Sequence, residues 1–86
     1  MNNALDIDAL LRGILRDQAR LSRDVLALGP DDDLYQAGMT SHAAVNVMLA
    51  LEDTFEVEFP DHLLTRGTFA SLRSIEDALG GLRTPA

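Results

Sequence analysis

The sequence predicts an all-α fold, an antiparallel four-helix bundle of three main helices plus one short helix with a long first loop. Three observations predict it. Apolar residues recur at three- and four-residue spacing in three separate stretches, over 4–20, 41–56 and 71–79. Helix-stopping residues divide these stretches: Gly29-Pro30, Pro60 and Gly80-Gly81. With 86 residues, 47% of them apolar and no cysteine, the chain has material for one core and no disulfide to reinforce it. A single domain over 1–86 follows, with its core over about 4–82 and a flexible tail at 83–86.

In the first stretch Ile7, Leu10, Leu11, Ile14, Leu15 and Gln18 share a predicted face, and Asp6 stands where its charge suits a helix N-terminus. Arg12, Arg16 and Arg20 form an opposing line at i, i+4 spacing, read as a solvated face, with a docking surface as the alternative. Residues 22–40, "SRDVLALGPDDDLYQAGMT", are long for a loop, since most connections in compact domains run to about 4–6 residues. Val25, Leu26, Leu28, Leu34 and Tyr35 predict that this loop packs down onto the bundle, with one helical turn at 34–36 opened by an Asp33 cap.

The strongest helix is 41–56. At 100° per residue Ala44, Val47, Met48, Leu51 and Phe55 fall on one face, enough for a core stripe. Val45 and Leu49 lie on a neighbouring face beside His42, so the helix carries more apolar surface than one core contact needs. That surplus covers the packed loop or receives other proteins. Pro60 ends this region. Residues 61–66, "DHLLTR", predict a short helix capped by Asp61, with His62 on the surface. A last helix has Ser71 as N-cap, Leu72, Ile75 and Leu79 inward, and Gly80-Gly81 as its stop.

Composition excludes several functions. A net charge of −7 argues against nucleic acid and anionic membrane surfaces, which select clustered positive charge. It favours protein partners with basic patches. No thiolate metal site is available, and His42 and His62 cannot hold zinc alone. The opening "MNNALDIDALLR" lacks the features of a secretory signal, and no apolar run approaches the ~20 residues of a membrane span. A cytoplasmic monomer is the expectation. All seven basic residues are arginine, which reflects genome composition or keeps side-chain amines away from a reactive ester.

Ser41 stands between Gly38 and a nearly uncharged apolar run. Serine is a preferred N-cap, so Ser41 or Thr40 can cap the helix with no further role. The stretch "LYQAGMTSHAAVNVMLALEDTFEVEFPD", followed by "TFASLRSIEDAL", resembles the acyl carrier protein and peptidyl (aminoacyl) carrier protein family, over about 7–82. In that family a Gly-x-Asp-Ser-Leu motif opens the second helix, and the serine carries 4′-phosphopantetheine taken from coenzyme A. Leu51, Glu52, Asp53, Phe55, Val57, Phe59 and Pro60 match the pattern that closes the helix.

The resemblance implies that Ser41 is the attachment point, that the chain presents substrates without catalysing, and that its cargo is held as a thioester. The implied partners are a phosphopantetheinyl transferase, an adenylating acyl or amino acid ligase, and a downstream acyltransferase. Thr40, His42, Val45, Leu49 and Asp53 are the candidate partner-facing residues. The sequence departs from the family pattern at Thr40, where aspartate is usual, and at His42, where leucine is usual. Ala43 and Asn46 replace early acids, and acidity moves to Glu52, Asp53, Glu56, Glu58 and Asp61. A solvated face explains that cluster equally well. These departures favour an aminoacyl or small acyl cargo in a dedicated pathway. A fatty-acid or polyketide acyl carrier and an unmodified carrier-derived helical adaptor remain the alternatives. His42 is read as a contact residue, although an imidazole also has the chemistry of a base.

Overall fold

The computed structural model describes residues 3–83, with side chains over 7–82. Helix α1 spans Asn3–Ile14, α2 Ser41–Phe55 and α3 Leu72–Arg83, and shorter turns lie between them. The expected setting of the Asp6 side chain and the tail beyond Arg83 lie outside the described residues. Arg83 itself is the last residue of α3.

The first apolar stretch does not stay α-helical to its end. Leu15–Ala19 forms one wide π-helical turn, closed by Arg20 in the left-handed region at φ 52°. A wider turn advances each residue through a smaller angle. Leu11, Leu15 and Ala19 therefore fall on one buried line, while Gln18 and Leu10, expected inward, face solvent. Ile14 is half-buried against the same core.

The long loop packs down as its apolar residues predict: Val25, Leu28 and Leu34 are buried. Leu26 is the exception at 78% exposed. It lies in a single 3-10 turn, Val25–Ala27, which Asp24 caps by accepting from the Leu26 amide at 3.0 Å. Asp33 does cap the next turn, its Oδ1 accepting from the Tyr35 and Gln36 amides at 2.8 and 3.3 Å.

Several tethers hold the loop. The Arg12 guanidinium donates to the Val25 carbonyl and, at 3.0 Å, to the Leu28 carbonyl, while its Nε pairs with Asp8 at 2.9 Å. Arg12 is thus a largely buried strut and not part of a solvated stripe; Arg16 and Arg20 do face solvent. The Leu34 amide donates to the Ala70 carbonyl at 2.7 Å. Arg73 donates to both Asp31 oxygens at 2.6 and 3.0 Å. The hydrogen bond from Arg73 is the first reason the exposed Asp31 carboxyl titrates below its ordinary range. Finally, the Ser22 amide and hydroxyl both donate to the Ala37 carbonyl at 2.9 Å.

That last tether explains Gly38. It adopts φ +117°, and a Cβ there would stand 3.2 Å from the Ser22 backbone nitrogen. Only glycine meets both demands. The chain thereby turns into α2 at a fixed point.

Helix α2 buries Ala44, Val47 and Leu51 against α1 and its wide turn, with Met48 half-buried. Phe55, expected in the core, is also only half-buried, because it sits on the last residue of the helix. Its place is taken by Phe59 and Phe69, whose ring centroids are 5.4 Å apart. The helix stops at Glu56, left-handed at φ 55°, where the Glu56 and Val57 amides both donate to the Glu52 carbonyl.

The expected short helix over 61–66 is only one 3-10 turn, Asp61–Leu63. Pro60 occupies the cap position, and Asp61 caps nothing. In α3 the prediction holds at the start: Ser71 Oγ accepts from the Ser74 amide at 3.1 Å and Ser74 Oγ accepts from the Ser71 amide at 3.0 Å, a reciprocal box. Leu72, Ile75 and Leu79 are buried. Gly80 and Gly81 do not end the helix. Neither takes positive φ, and glycine within a helix costs only about 1 kcal/mol relative to alanine.

Candidate functional site

Thr40, and not Ser41, caps α2. Its Oγ1 accepts from the Ala43 amide at 3.0 Å, and its backbone is extended. Ser41 becomes the first residue of the helix. Its side chain is exposed, and its hydroxyl makes no hydrogen bond among the described residues. The division of labour matters chemically, because a capping hydroxyl that became an ester would cost the helix its cap. Here the hydroxyl is free to react.

The electrostatics around it follow from the helix. No acid lies in the first turn of α2, so the partial positive charge of the helix N-terminus is uncompensated and favours an anionic group there. The displaced acids lie at the other end. Among them Glu52 has a structural task, its Oε2 accepting from the Phe59 amide at 2.8 Å. Asp53, Glu56, Glu58 and Asp61 are exposed.

Two grooves flank Ser41. One, of about 420 Å³, is walled by Ala44, Val45 and Met48 of α2 and by Leu64, Phe69 and Tyr35, with Ser41 itself on its rim. The other, about 340 Å³, has a mixed polar and apolar lining and touches Thr40, His42, Asn46 and Arg20. Val45 and Leu49, read from the sequence as outward-facing, are 50% and 53% exposed. Thr40, His42 and Asp53 are exposed as well, so the candidate partner-facing residues all reach solvent along α2.

The sequence does not single out the far wall of the apolar groove. Leu64, Arg66 and Phe69 come from an irregular segment with no helical period, and Tyr35 from the loop. The Arg66 guanidinium lies over the Tyr35 ring, 3.8 Å from its centroid. Burial raises the Tyr35 phenol above its ordinary range, the Arg66 charge opposes the rise, and Asp33 adds to it. Among the described residues no group of three or more metal-ligating side chains exists, and no helix is long and apolar enough to cross a membrane.

Among the described residues the bundle is all-helical, and its longest helix opens on a serine that neither caps it nor makes a side-chain hydrogen bond, the form of a cofactor-bearing carrier. A family model described as the phosphopantetheine attachment site matches residues 9–79. The chain belongs to this family, whose prosthetic group is 4′-phosphopantetheine. It is 42% identical over 73 residues to an aminoacyl carrier protein of Agrobacterium fabrum, covering 85% of this chain and 88% of that one.

Solved structures agree. A carrier protein from Agrobacterium tumefaciens, crystallised with an engineered Bradyrhizobium japonicum glycine:[carrier protein] ligase and ATP, superposes with a TM-score of 0.82 at 42% identity, over 86% of this chain and 96% of that one. The corresponding complex with AMP gives the same TM-score of 0.82. A solution structure of an Agrobacterium tumefaciens protein superposes at 0.67, with 42% identity over 85% of this chain and 88% of that one.

Proposed function

We propose that this chain is an aminoacyl carrier whose Ser41 holds 4′-phosphopantetheine, is loaded by an amino acid ligase and passes its cargo to a downstream acyltransferase. The observation that carries the assignment of Ser41 is the separation of roles at the mouth of α2. Thr40 supplies the cap, and Ser41 keeps an exposed hydroxyl with no hydrogen-bond partner among the described residues. Ser22, Ser71 and Ser74 all have hydrogen bonds to the fold.

In the attachment step the Ser41 oxygen would bond to the phosphorus of coenzyme A that bears the pantetheine arm, the P–O bond to the nucleotide would break, and the hydroxyl proton would leave to a base of the transferase. When bound, the group supplies a thiol at the end of a long arm, on which an acyl group rides as a thioester. The chain's own residues do the rest. The α2 N-terminus favours the phosphate charge, Gly38 fixes where the helix begins, and Val45 and Leu49 offer an apolar strip to whichever enzyme receives the arm. The chain carries no catalytic group in this reading and works as a cytoplasmic monomer.

An aminoacyl cargo is favoured over a fatty one by the similarity to the aminoacyl carrier of Agrobacterium fabrum and to the carrier held by a glycine ligase. The absence of acid in the first turn of α2 points the same way. The test is intact mass after incubation with coenzyme A and a promiscuous phosphopantetheinyl transferase, then with ATP, glycine and a glycine:[carrier protein] ligase. One phosphopantetheine followed by one glycyl group is expected. Modification without glycylation, combined with efficient fatty acylation, would replace the cargo assignment; no modification at all would return the chain to an unmodified adaptor.

A further inference from the structure

We propose that Arg66, placed over the Tyr35 ring, is the phosphate-recognition residue of this carrier and steers the prosthetic arm along the groove it shares with Ser41. The inference rests on Ser41 as the attachment point and adds a site for the group once attached. Three observations carry it.

Arg66 and Ser41 line the same groove of about 420 Å³, and none of the groove's lining residues is acidic. A phosphorus bonded to the Ser41 oxygen would stand at the rim of that groove, carrying one negative charge as a diester. Secondly, Arg66 has no carboxylate partner among the described residues; Arg12, Arg16, Arg23 and Arg73 each have one. In a chain of net charge −7 a surface arginine without an acid is a cation left for something else. Thirdly, the Tyr35 ring holds the Arg66 guanidinium carbon 3.8 Å from its centroid. A cation–π contact uses none of the guanidinium N–H donors, and no side-chain hydrogen bond uses them among the described residues, so they remain for phosphate oxygens.

Arg20 is the competing cation. Among the described residues it too has no carboxylate partner, but it lines the second groove with Thr40 and His42 and has no aromatic ring over it. Ser41 is not part of that groove's lining. Geometry therefore selects Arg66. The contact is exposed and screened, so its strength is that of a surface pair, a bias of a few-fold in the docked population. The tether raises its effective concentration without adding a contact. A docked arm is stored against Val45, Met48, Leu64 and Phe69 and is withdrawn when an enzyme competes for it.

The experiment compares the apo and phosphopantetheine-bearing forms by NMR. On modification the Arg66 Nε–H proton is expected to move downfield and to exchange more slowly with water, and methyl signals of Val45 and Leu64 are expected to show contacts with the gem-dimethyl group of the arm. In the modified Arg66→Gln protein the ³¹P resonance should move to the value of a free phosphodiester and those contacts should weaken several-fold. Tyr35→Leu should do the same with the charge retained, and Arg20→Gln should leave both readouts unchanged. Full modification by mass with an Arg66 Nε–H signal identical in the two forms would overturn the clamp while leaving Ser41 intact. An Arg20→Gln effect equal to that of Arg66→Gln would overturn it as well. Should a variant fail to fold, the apo-to-modified comparison of the natural chain decides alone. Failure to modify at all counts against Ser41 and is read by mass before any spectrum is taken.

Discussion

At the mouth of α2 two adjacent hydroxyls do different things, and a pair of single substitutions separates them. Ser41→Ala removes the exposed hydroxyl and should abolish the mass gain from coenzyme A, with the thermal midpoint almost unchanged. Thr40→Ala removes the acceptor for the Ala43 amide and should cost about 0.5–2 kcal/mol, while the modification still occurs. Urea melts and intact mass on both variants check the assignment. A loss of stability in Ser41→Ala equal to that in Thr40→Ala would show that the roles are shared. Sequence pattern cannot choose between two adjacent caps, because both residue types suit the position; the backbone angle at which the helix begins makes the choice.

The same logic applies to Arg12. On the sequence it belongs to an i, i+4 line with Arg16 and Arg20. In the fold it donates to two loop carbonyls, those of Val25 and Leu28, and ties the loop to α1. A long side chain can change its role without changing its place in a helical pattern, since its head reaches several ångström from its stem.

At the scale of the element, α2 uses two faces for two purposes. Leu51 is fully buried at 0% exposed, whereas Leu49 is 53% exposed. Leu51→Ala should therefore cost about 2–5 kcal/mol, enough to threaten a domain of this size. Leu49→Ala should leave the unfolding free energy within about 0.5 kcal/mol and should lower the rate of loading by the ligase. Chemical denaturation together with a loading assay on the two variants checks this. A stable Leu51→Ala protein beside a melted Leu49→Ala protein would put the opposite face inward. This helix was legible from its period, its length and Pro60. Helix α1 was less so, because its wide turn rotates Gln18 outward and Ala19 inward. That turn packs against α2 with Leu15 and Ala19 buried, and no single-helix wheel includes that neighbour.

Across the whole molecule, charge is distributed unevenly. Glu76 of α3 lies near Asp8 and Arg12 of α1, and its carboxyl titrates above its ordinary range. Partial burial is the main cause, hydrogen bonding and charge from Asp8 add to it, and Arg12 opposes. The folded state thus holds this proton more tightly than the unfolded chain does. Its contribution to stability is full below the ordinary glutamate pKa, about 4.3, and is lost as pH rises through the folded value. The natural protein should accordingly lose stability from this group between acid and neutral pH. Glu76→Gln should remove that decline and be the more stable protein at pH 7, by a small margin because the site is mostly solvated. Urea midpoints of both proteins at pH 4 and pH 7 measure the difference directly. A larger midpoint for the natural protein at pH 7 would reverse the sign.

The sequence by itself determined the three main helices, the buried leucines and isoleucine of α3, the burial of most of the long loop, and the family to which Ser41 points. Those features depend on periodicity and on glycine and proline, which act within a few residues of themselves. The tertiary structure alone decided which hydroxyl caps α2, that Arg12 is a strut, that Glu52 serves the Phe59 amide, and that Arg66 and Tyr35 meet opposite Ser41. Each of these joins residues distant in the chain or chooses between chemically equal neighbours. Both depend on where the backbone comes to rest once the core has closed, and no local pattern encodes that position.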